Sequence, residues 1–245
     1  MSSSEPVTLV TGGSHGIGRS VVEKLVAAGR LVAFTYVSGR QAAEDLELAS
    51  KGRARGFAFS LSDRQGAISL VKEVEAEVGH LHGLVNNAAI VRSELMAMMS
   101  DASWDEIIDT NLGGTFRVTR EALRAIVPHR WGGSIVNVAS LSAIDGVAGQ
   151  TAYAASKAGI LAVTRCLSRE MGRRKIRVNA VVPGFVATNM TRDIDEAAVR
   201  RLRERESLQS GVSAAGVADA VVFLLSDGAS DITGQAIHVD AGSSA

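Results

Sequence analysis

The sequence predicts an α/β fold, a parallel sheet wound on both faces by helices. Three observations carry that expectation. Short apolar runs rich in β-branched residues alternate with helical stripes along the whole chain. Several runs are almost continuously apolar, as strands covered on both faces must be. The first run passes into a glycine-rich turn and then a helix, which is how a βαβ unit opens.

Taken in order, the runs place seven strands at Val7–Thr11, Leu31–Tyr36, Gly56–Phe59, Gly83–Asn86, Ser134–Ala139, Arg177–Val182 and Ala236–Val239. Between the first two, Ile17, Val21, Val22, Leu25 and Val26 form one helical stripe, ended by Gly29. Val217, Val221, Leu224 and Leu225 form another, with Ser213 placed to cap its N-terminus. No linker, repeat or low-complexity tract interrupts the pattern, so residues 1–245 read as a single domain. The least regular stretch, about 184–212, is rich in charge, and long segments of that kind are usually lids or disordered.

Composition narrows the function classes. Hydrophobic residues make up 46% of the chain and charged residues 21%, an ordinary globular balance. No apolar run approaches the ~20 residues that span a bilayer. The opening M-S-S-S-E-P lacks the basic and apolar regions of a signal peptide. The single cysteine, Cys166, excludes an internal disulfide and reads as a packing residue. A cytoplasmic location is therefore expected, with neither membrane nor nucleic acid as partner. Net charge is zero, yet residues 161–205 hold eleven Arg/Lys against five Asp/Glu. Such an excess is either a solvated helix face or a patch that meets an acidic partner.

The turn at 11–18 reads T-G-G-S-H-G-I-G. Gly12, Gly16 and Gly18 allow a tight turn and close approach to a pyrophosphate, and the helix behind them offers free N–H groups. Ser14, His15 and Ile17 complete this cofactor-binding turn. Nucleotide units that take NAD place an acid about 20 residues further on, against the ribose 2′-hydroxyl. Here that position is Tyr36, in T-Y-V-S-G-R, so no carboxylate repels a 2′-phosphate. Ser38, Arg40 and His15 are available to hold one, which points to NADPH/NADP+.

The chain as a whole resembles the short-chain dehydrogenase/reductase family. The likeness rests on the 11–18 turn, N-N-A-A at 86–89, Asn111 in T-N-L, Ser140, Y-A-A-S-K at 153–157, P-G-F-V-A-T at 183–188 and I-T-G-Q-A-I-H-V-D-A-G near the C-terminus. V-R-S-E-L-M-A-M-M, I-R-V-N-A-V-V-P-G-F and T-N-M-T are similar to the members that reduce 3-oxoacyl groups carried on acyl carrier protein. Three positions depart from the family: Ala89 where Gly is usual, Ser60 beside the adenine position, and His15 where NADPH-dependent relatives often have Arg.

The resemblance implies a Rossmann domain with a seven-stranded parallel sheet, and a site for ketone reduction. Tyr153 is the expected proton donor. A phenol ordinarily titrates near 10, and Lys157, one helical turn on, is expected to lower that value and to bind the nicotinamide ribose. Ser140 would hold the substrate oxygen. Asn111 would bend its helix and hold a proton-relaying water. Read singly, Ser140 is equally a turn residue, Asn111 a helix cap, and Tyr153 with Lys157 a surface pair. Ser60 and Leu61 would meet the adenine, Asn87 and Ala88 the ribose, and Pro183, Gly184, Val186 and Thr188 the nicotinamide end.

The resemblance further implies a homotetramer and an acidic acyl carrier protein as partner, docked on Arg174 and, more loosely matched, Arg130. The basic excess at 161–205 agrees with such a patch, and it also suits a coenzyme A thioester. Residues 184–212 would close over substrate and 141–150 would line the entrance. The alternatives are a relative acting on another ketone or secondary alcohol, such as a sugar or steroid, and a nucleotide-binding regulator without activity.

Overall fold

Strands β1 (Val7–Val10), β2 (Leu31–Tyr36), β3 (Ala54–Ala58), β4 (Leu81–Asn86), β5 (Gly133–Val138), β6 (Ile176–Pro183) and β7 (Ala236–Val239) form the sheet in the computed structural model, which describes residues 5–188, 191 and 196–245. Every pairing is parallel, in the order β3-β2-β1-β4-β5-β6-β7. Two strands, β3 and β4, start two residues earlier than their apolar runs. β3 is an edge strand that carries the exposed Arg55, and β4 opens on Leu81 and His82. Polar residues at those positions hide the strand from a reading based on hydrophobicity alone.

Helices α1 (Gly16–Ala27), α2 (Arg40–Ala49), α3 (Gly66–Glu77), α4 (Asp101–Ile108), α5 (Thr115–Ile126), α6 (Ser142–Asp145), α7 (Thr151–Met171), α8 (Glu196–Arg203) and α9 (Ala214–Leu225) surround it. Gly29 follows α1 in the left-handed region (φ 77°), and the Ser213 hydroxyl accepts from Gly216 N at the start of α9, both as the pattern requires. Alternate strand residues point to opposite faces. Val10, Phe34, Val85, Val136 and Val181 pack with α1 and α9, whereas Leu9, Ala33, Leu84, Ile135 and Val178 pack with α3 and α5. Leu9 and Leu84 are fully buried, so truncating either to Ala costs about 2–5 kcal/mol.

Two features of this frame position the site. The chain leaves β1 in one direction along the sheet and, from β4, continues in the other. That reversal opens a crevice beyond the carboxyl ends of β1 and β4. Between α4 and α5 the helix widens into one π-helical turn, Asp109–Gly114, with Asn111 inside it. Such turns are rare and occur mostly at functional sites.

Within the irregular 184–212 stretch, the structure contains α8 and a parallel bridge between Val186 and Val212. Asn189, Met190 and residues 192–195 of the expected lid lie outside the described residues. Cys166 corrects the sequence expectation: it sits on the exposed face of α7, not in the packing. No described helix is long and apolar enough to cross a membrane.

Candidate active site

At the carboxyl end of β1 the glycine turn is held from both sides. The Thr35 hydroxyl accepts from Gly12 N at 3.0 Å. The Thr11 hydroxyl accepts from the backbone N–H groups of Asn87 and Ala88 at 3.0 and 3.1 Å. The Asn87 amide donates back to the carbonyls of Thr11 and Gly12 at 3.0 and 3.1 Å. Gly12 (φ 67°) and Gly16 (φ 53°) take the left-handed conformation. A Cβ on Gly18 would stand 2.2 Å from the Gly12 carbonyl oxygen, so position 18 admits no side chain.

These features fit a dinucleotide pyrophosphate. Helix α1 begins at His15 with no side-chain cap and no acidic residue in its first turn, so its free N–H groups and positive dipole end are available to an anion. Thr188 stands across from the turn, its Cγ2 3.2 Å from where a Gly16 Cβ would lie.

The other end of the crevice lies by the β2–α2 turn. The Ser14 hydroxyl and His15 Nδ1 are 2.9 Å apart. The His15 ring lies directly over Gly39, where a Cβ would come within 2.3 Å of Cε1. Tyr36 closes β2, and Ser38 is exposed beyond it. Arg40 opens α2, but its Nε donates to Glu44 at 2.8 Å, and that hydrogen bond raises the guanidinium pKa. Ser60 pairs with the Ser62 hydroxyl at 2.8 Å. The Leu61 side chain is buried in the core against Gly114, and its carbonyl accepts from Arg117 at 2.9 Å.

The chemical end is built on β5, β6 and the first turns of α7. Ser140 follows β5, where Ala139 N and Leu141 N still pair with the carbonyls of Val181 and Pro183. Its hydroxyl accepts from Ser142 N at 3.2 Å, so Ser140 both turns the chain and presents oxygen to the cleft. Gly184 N pairs with the Val239 carbonyl, and a Cβ there would stand 2.9 Å from Asp240 Cα. Val186 is buried beside it.

Tyr153 keeps some exposure to the cleft, yet protein surrounds it on most sides. That desolvation pushes its phenol above the ordinary value, while the adjacent Ser140 hydroxyl pulls it down. Lys157 is wholly enclosed, and burial lowers its pKa from 10.5 to about 8. Its Nζ donates to the Val138 carbonyl at 2.8 Å and stands 5.7 Å from the Tyr153 ring centroid. The Lys157 ammonium is turned toward a strand carbonyl, and the causes that shift Tyr153 are its burial, which raises the phenol, and the Ser140 hydroxyl, which lowers it.

Asn111 is completely buried in the π-turn. Its Oδ1 accepts from Ile90 N at 2.8 Å, and its Nδ2 donates to the Ile90 carbonyl at 2.9 Å and the Ser156 hydroxyl at 3.2 Å. From within that turn it ties the segment after β4 to α7.

A family profile described as enoyl-(acyl carrier protein) reductase matches residues 12–244. The 3-oxoacyl-(acyl-carrier-protein) reductase FabG of Aquifex aeolicus is 39% identical over 239 residues, 96% of each chain. The enzyme of the same name from Escherichia coli K12 is also 39% identical over 239 residues, again 96% of each chain. That of Staphylococcus aureus N315 is 38% identical over 238 residues, with the same 96% coverage. The chain belongs to the short-chain dehydrogenase/reductase family. This family takes a nicotinamide cofactor, and the crevice described above fits one.

As a short-chain dehydrogenase/reductase, the chain gathers Ser140, Tyr153, Lys157, Asn111, the glycine turn and Thr188 around one crevice. Arg130 and Arg174 are not part of it. Both are exposed and precede the amino ends of β5 and β6, whereas the crevice lies beyond the carboxyl ends. Arg174 follows the far end of α7, roughly 30 Å along the helix axis from Tyr153 at ~1.5 Å per residue. They cannot flank the entrance of their own chain.

Sequence reasoning passed over Thr11, Thr35, Ile90 and Ser156, which position the turn and the catalytic helix. Thr11 and Ser156 sat in plain view inside the T-G-G and Y-A-A-S-K motifs. The backbone contact of Ile90 has no sequence signal, because any residue carries those two groups.

Proposed function

We propose that the chain is an NADPH-dependent 3-oxoacyl-(acyl-carrier-protein) reductase, making 3-hydroxyacyl thioesters for fatty acid or related synthesis in the cytoplasm. The observation that carries this reading is the convergence of Ser140, Tyr153 and Lys157 beside the glycine turn, in a chain aligned end to end with reductases of that name.

A bound reduced nicotinamide supplies the hydride, so the protein's tasks are orientation and proton delivery. Ser140 Oγ donates to the substrate carbonyl oxygen and steadies the charge that grows there. Tyr153 gives its phenolic proton to the same oxygen. A phenol with a raised pKa keeps that proton until the oxygen becomes basic enough to take it. Lys157, with a pKa of about 8, is close enough to neutral pH to pass a proton toward the phenolate. Asn111 and Ser156 fix the helix turn on which both stand. His15, Ser38 and the absence of an acid at Tyr36 favour a 2′-phosphate, hence NADPH.

The segment 184–212 acts as the lid, and Arg205 of that segment pairs with Asp145 on the entrance loop at 2.5 Å. A homotetramer is supported by an apolar groove of about 440 Å³ between α5 and α7, lined by Phe116, Leu123, Val127, Val163 and Leu167. The partner is an acidic acyl carrier protein. Arg130 and Arg174 serve such a partner only where assembly brings them beside the cleft of a neighbouring copy.

The test is NADPH oxidation with 3-oxobutanoyl thioester on acyl carrier protein, beside a 2-enoyl thioester and a panel of sugars and secondary alcohols. Turnover of the 3-oxo substrate that is abolished in Tyr153→Phe, with NADPH binding retained, is the expected result. Turnover of the enoyl thioester or the alcohols alone would overturn the reading.

A further inference from the structure

Beyond the amino ends of β4 and β5, at the opposite end of the sheet from the crevice, three side chains from three elements meet. Glu75 comes from the last turns of α3, His80 from the link into β4, and His129 from the 3-10 turn Val127–His129 that follows α5. His80 Nδ1 and His129 Nε2 stand 3.6 and 3.7 Å from the same carboxylate oxygen, Glu75 Oε1. The two imidazole centroids are 4.4 Å apart. We propose that Glu75, His80 and His129 form a binding site for a divalent transition-metal ion, zinc above all.

Both distances exceed a hydrogen bond, so neither imidazole is bonded to the carboxylate, yet the three ligand atoms all lie within 4.8 Å of one another. Zinc takes imidazole nitrogen and carboxylate oxygen at about 2.0–2.2 Å, and a tetrahedron of that size has edges of about 3.3–3.5 Å. The two edges to Glu75 Oε1 need to contract by only a few tenths of an ångström, and the edge between the two imidazole nitrogens is no longer than 4.8 Å. Two nitrogens and one oxygen suit zinc, whereas calcium and magnesium require oxygen sets.

The ligands are also held in place. Leu81 N lies 3.5 Å from Glu75 Oε1 and orients the carboxylate. Val7 N donates to the His80 carbonyl at 3.1 Å, anchoring that residue to β1. His129 follows Pro128 in a rigid turn, and its ring is stacked on Trp131 with centroids 4.8 Å apart. His80 is half-exposed, which gives an ion access and leaves a fourth position for water. Among the described residues no other cluster of His, Cys, Asp and Glu brings three such atoms together. An ion here joins α3, the start of β4 and the end of α5. That points to a stabilising role, independent of the reductase reading.

The experiment titrates zinc chloride into the full-length protein with Cys166→Ser as background, following heat and Trp131 fluorescence. The expected result is one ion per chain, a change in emission from Trp131, and a rise in Tm of about 5–10 °C at a hundredfold excess over Kd. Glu75→Gln, His80→Ala and His129→Ala should each weaken binding at least tenfold and remove the Tm rise. Folding of each variant is read from its metal-free Tm and NADPH oxidation. Absence of stoichiometric binding, or binding unchanged in all three variants, would overturn the site and leave an ordinary histidine–carboxylate cluster.

Discussion

Asn111 Nδ2 donates to Ser156 Oγ at 3.2 Å, and Ser156 Oγ donates to the Tyr153 carbonyl at 2.7 Å. The π-turn thus reaches Tyr153 through two hydrogen bonds and one small side chain. Replacing Ser156 with Ala leaves a buried amide donor without its acceptor, which costs about 1–3 kcal/mol. Urea unfolding should register that loss, and kcat should fall several-fold with KM for NADPH little changed. An unaltered kcat would mean that the π-turn does not position Tyr153.

Burial of Lys157 makes stability depend on pH. Its folded value, about 8, lies below the ordinary 10.5. Above pH 10.5 the folded and unfolded forms are both neutral at this site, and no charge is buried. As pH falls toward 8 the unfolded chain gains the proton first, and stability is lost until the folded form is protonated as well. The full change is about 3 kcal/mol. Relative to Lys157→Met, the wild-type protein should therefore lose stability between pH 10.5 and 8 in urea titrations. A constant difference across that window would contradict the buried-ammonium picture.

His15 and Gly39 are coupled by contact. A Gly39→Ala side chain strikes the His15 ring and sits at φ 78°, a left-handed conformation that costs a non-glycine residue about 1–2 kcal/mol. If His15 holds a 2′-phosphate, both Gly39→Ala and His15→Ala should raise KM for NADPH several-fold and leave KM for NADH unchanged. Parallel effects on the two cofactors would assign the preference elsewhere.

Arg174 tests the docking surface. Arg174→Glu should raise KM for carrier-protein thioesters at least fivefold while sparing small thioesters. In mixed oligomers an Arg174→Glu chain should still dock substrate at its own cleft when its neighbour is intact but carries Tyr153→Phe. Kinetics on co-expressed, separately tagged chains measure this. Equal loss on both substrate classes would remove the role.

The sheet was legible because burial on both faces writes strands as continuous apolar runs, and the crevice was legible because glycines mark where side chains cannot fit. Tyr153, Lys157 and Ser140 stood out through motifs with fixed spacing. What stayed hidden was set by three-dimensional placement. Whether Arg174 faces the crevice depends on the length and direction of α7, and the burial of Leu61 depends on its packing against Gly114. The turn of Lys157 Nζ toward Val138, and the enclosure of Tyr153, depend on burial that no local pattern encodes. Glu75, His80 and His129 lie up to 54 positions apart, too scattered for any spacing rule to join.

The parallel bridge between Val186 and Val212 brings together the two chain positions on either side of α8. A segment clasped at its base can vary in length and chemistry without disturbing the sheet, because loop closure is already satisfied there. On the proposed lid reading, substrate range is exchangeable as a cassette: residues 187–211 are grafted from one reductase to another and the sheet is left as it is.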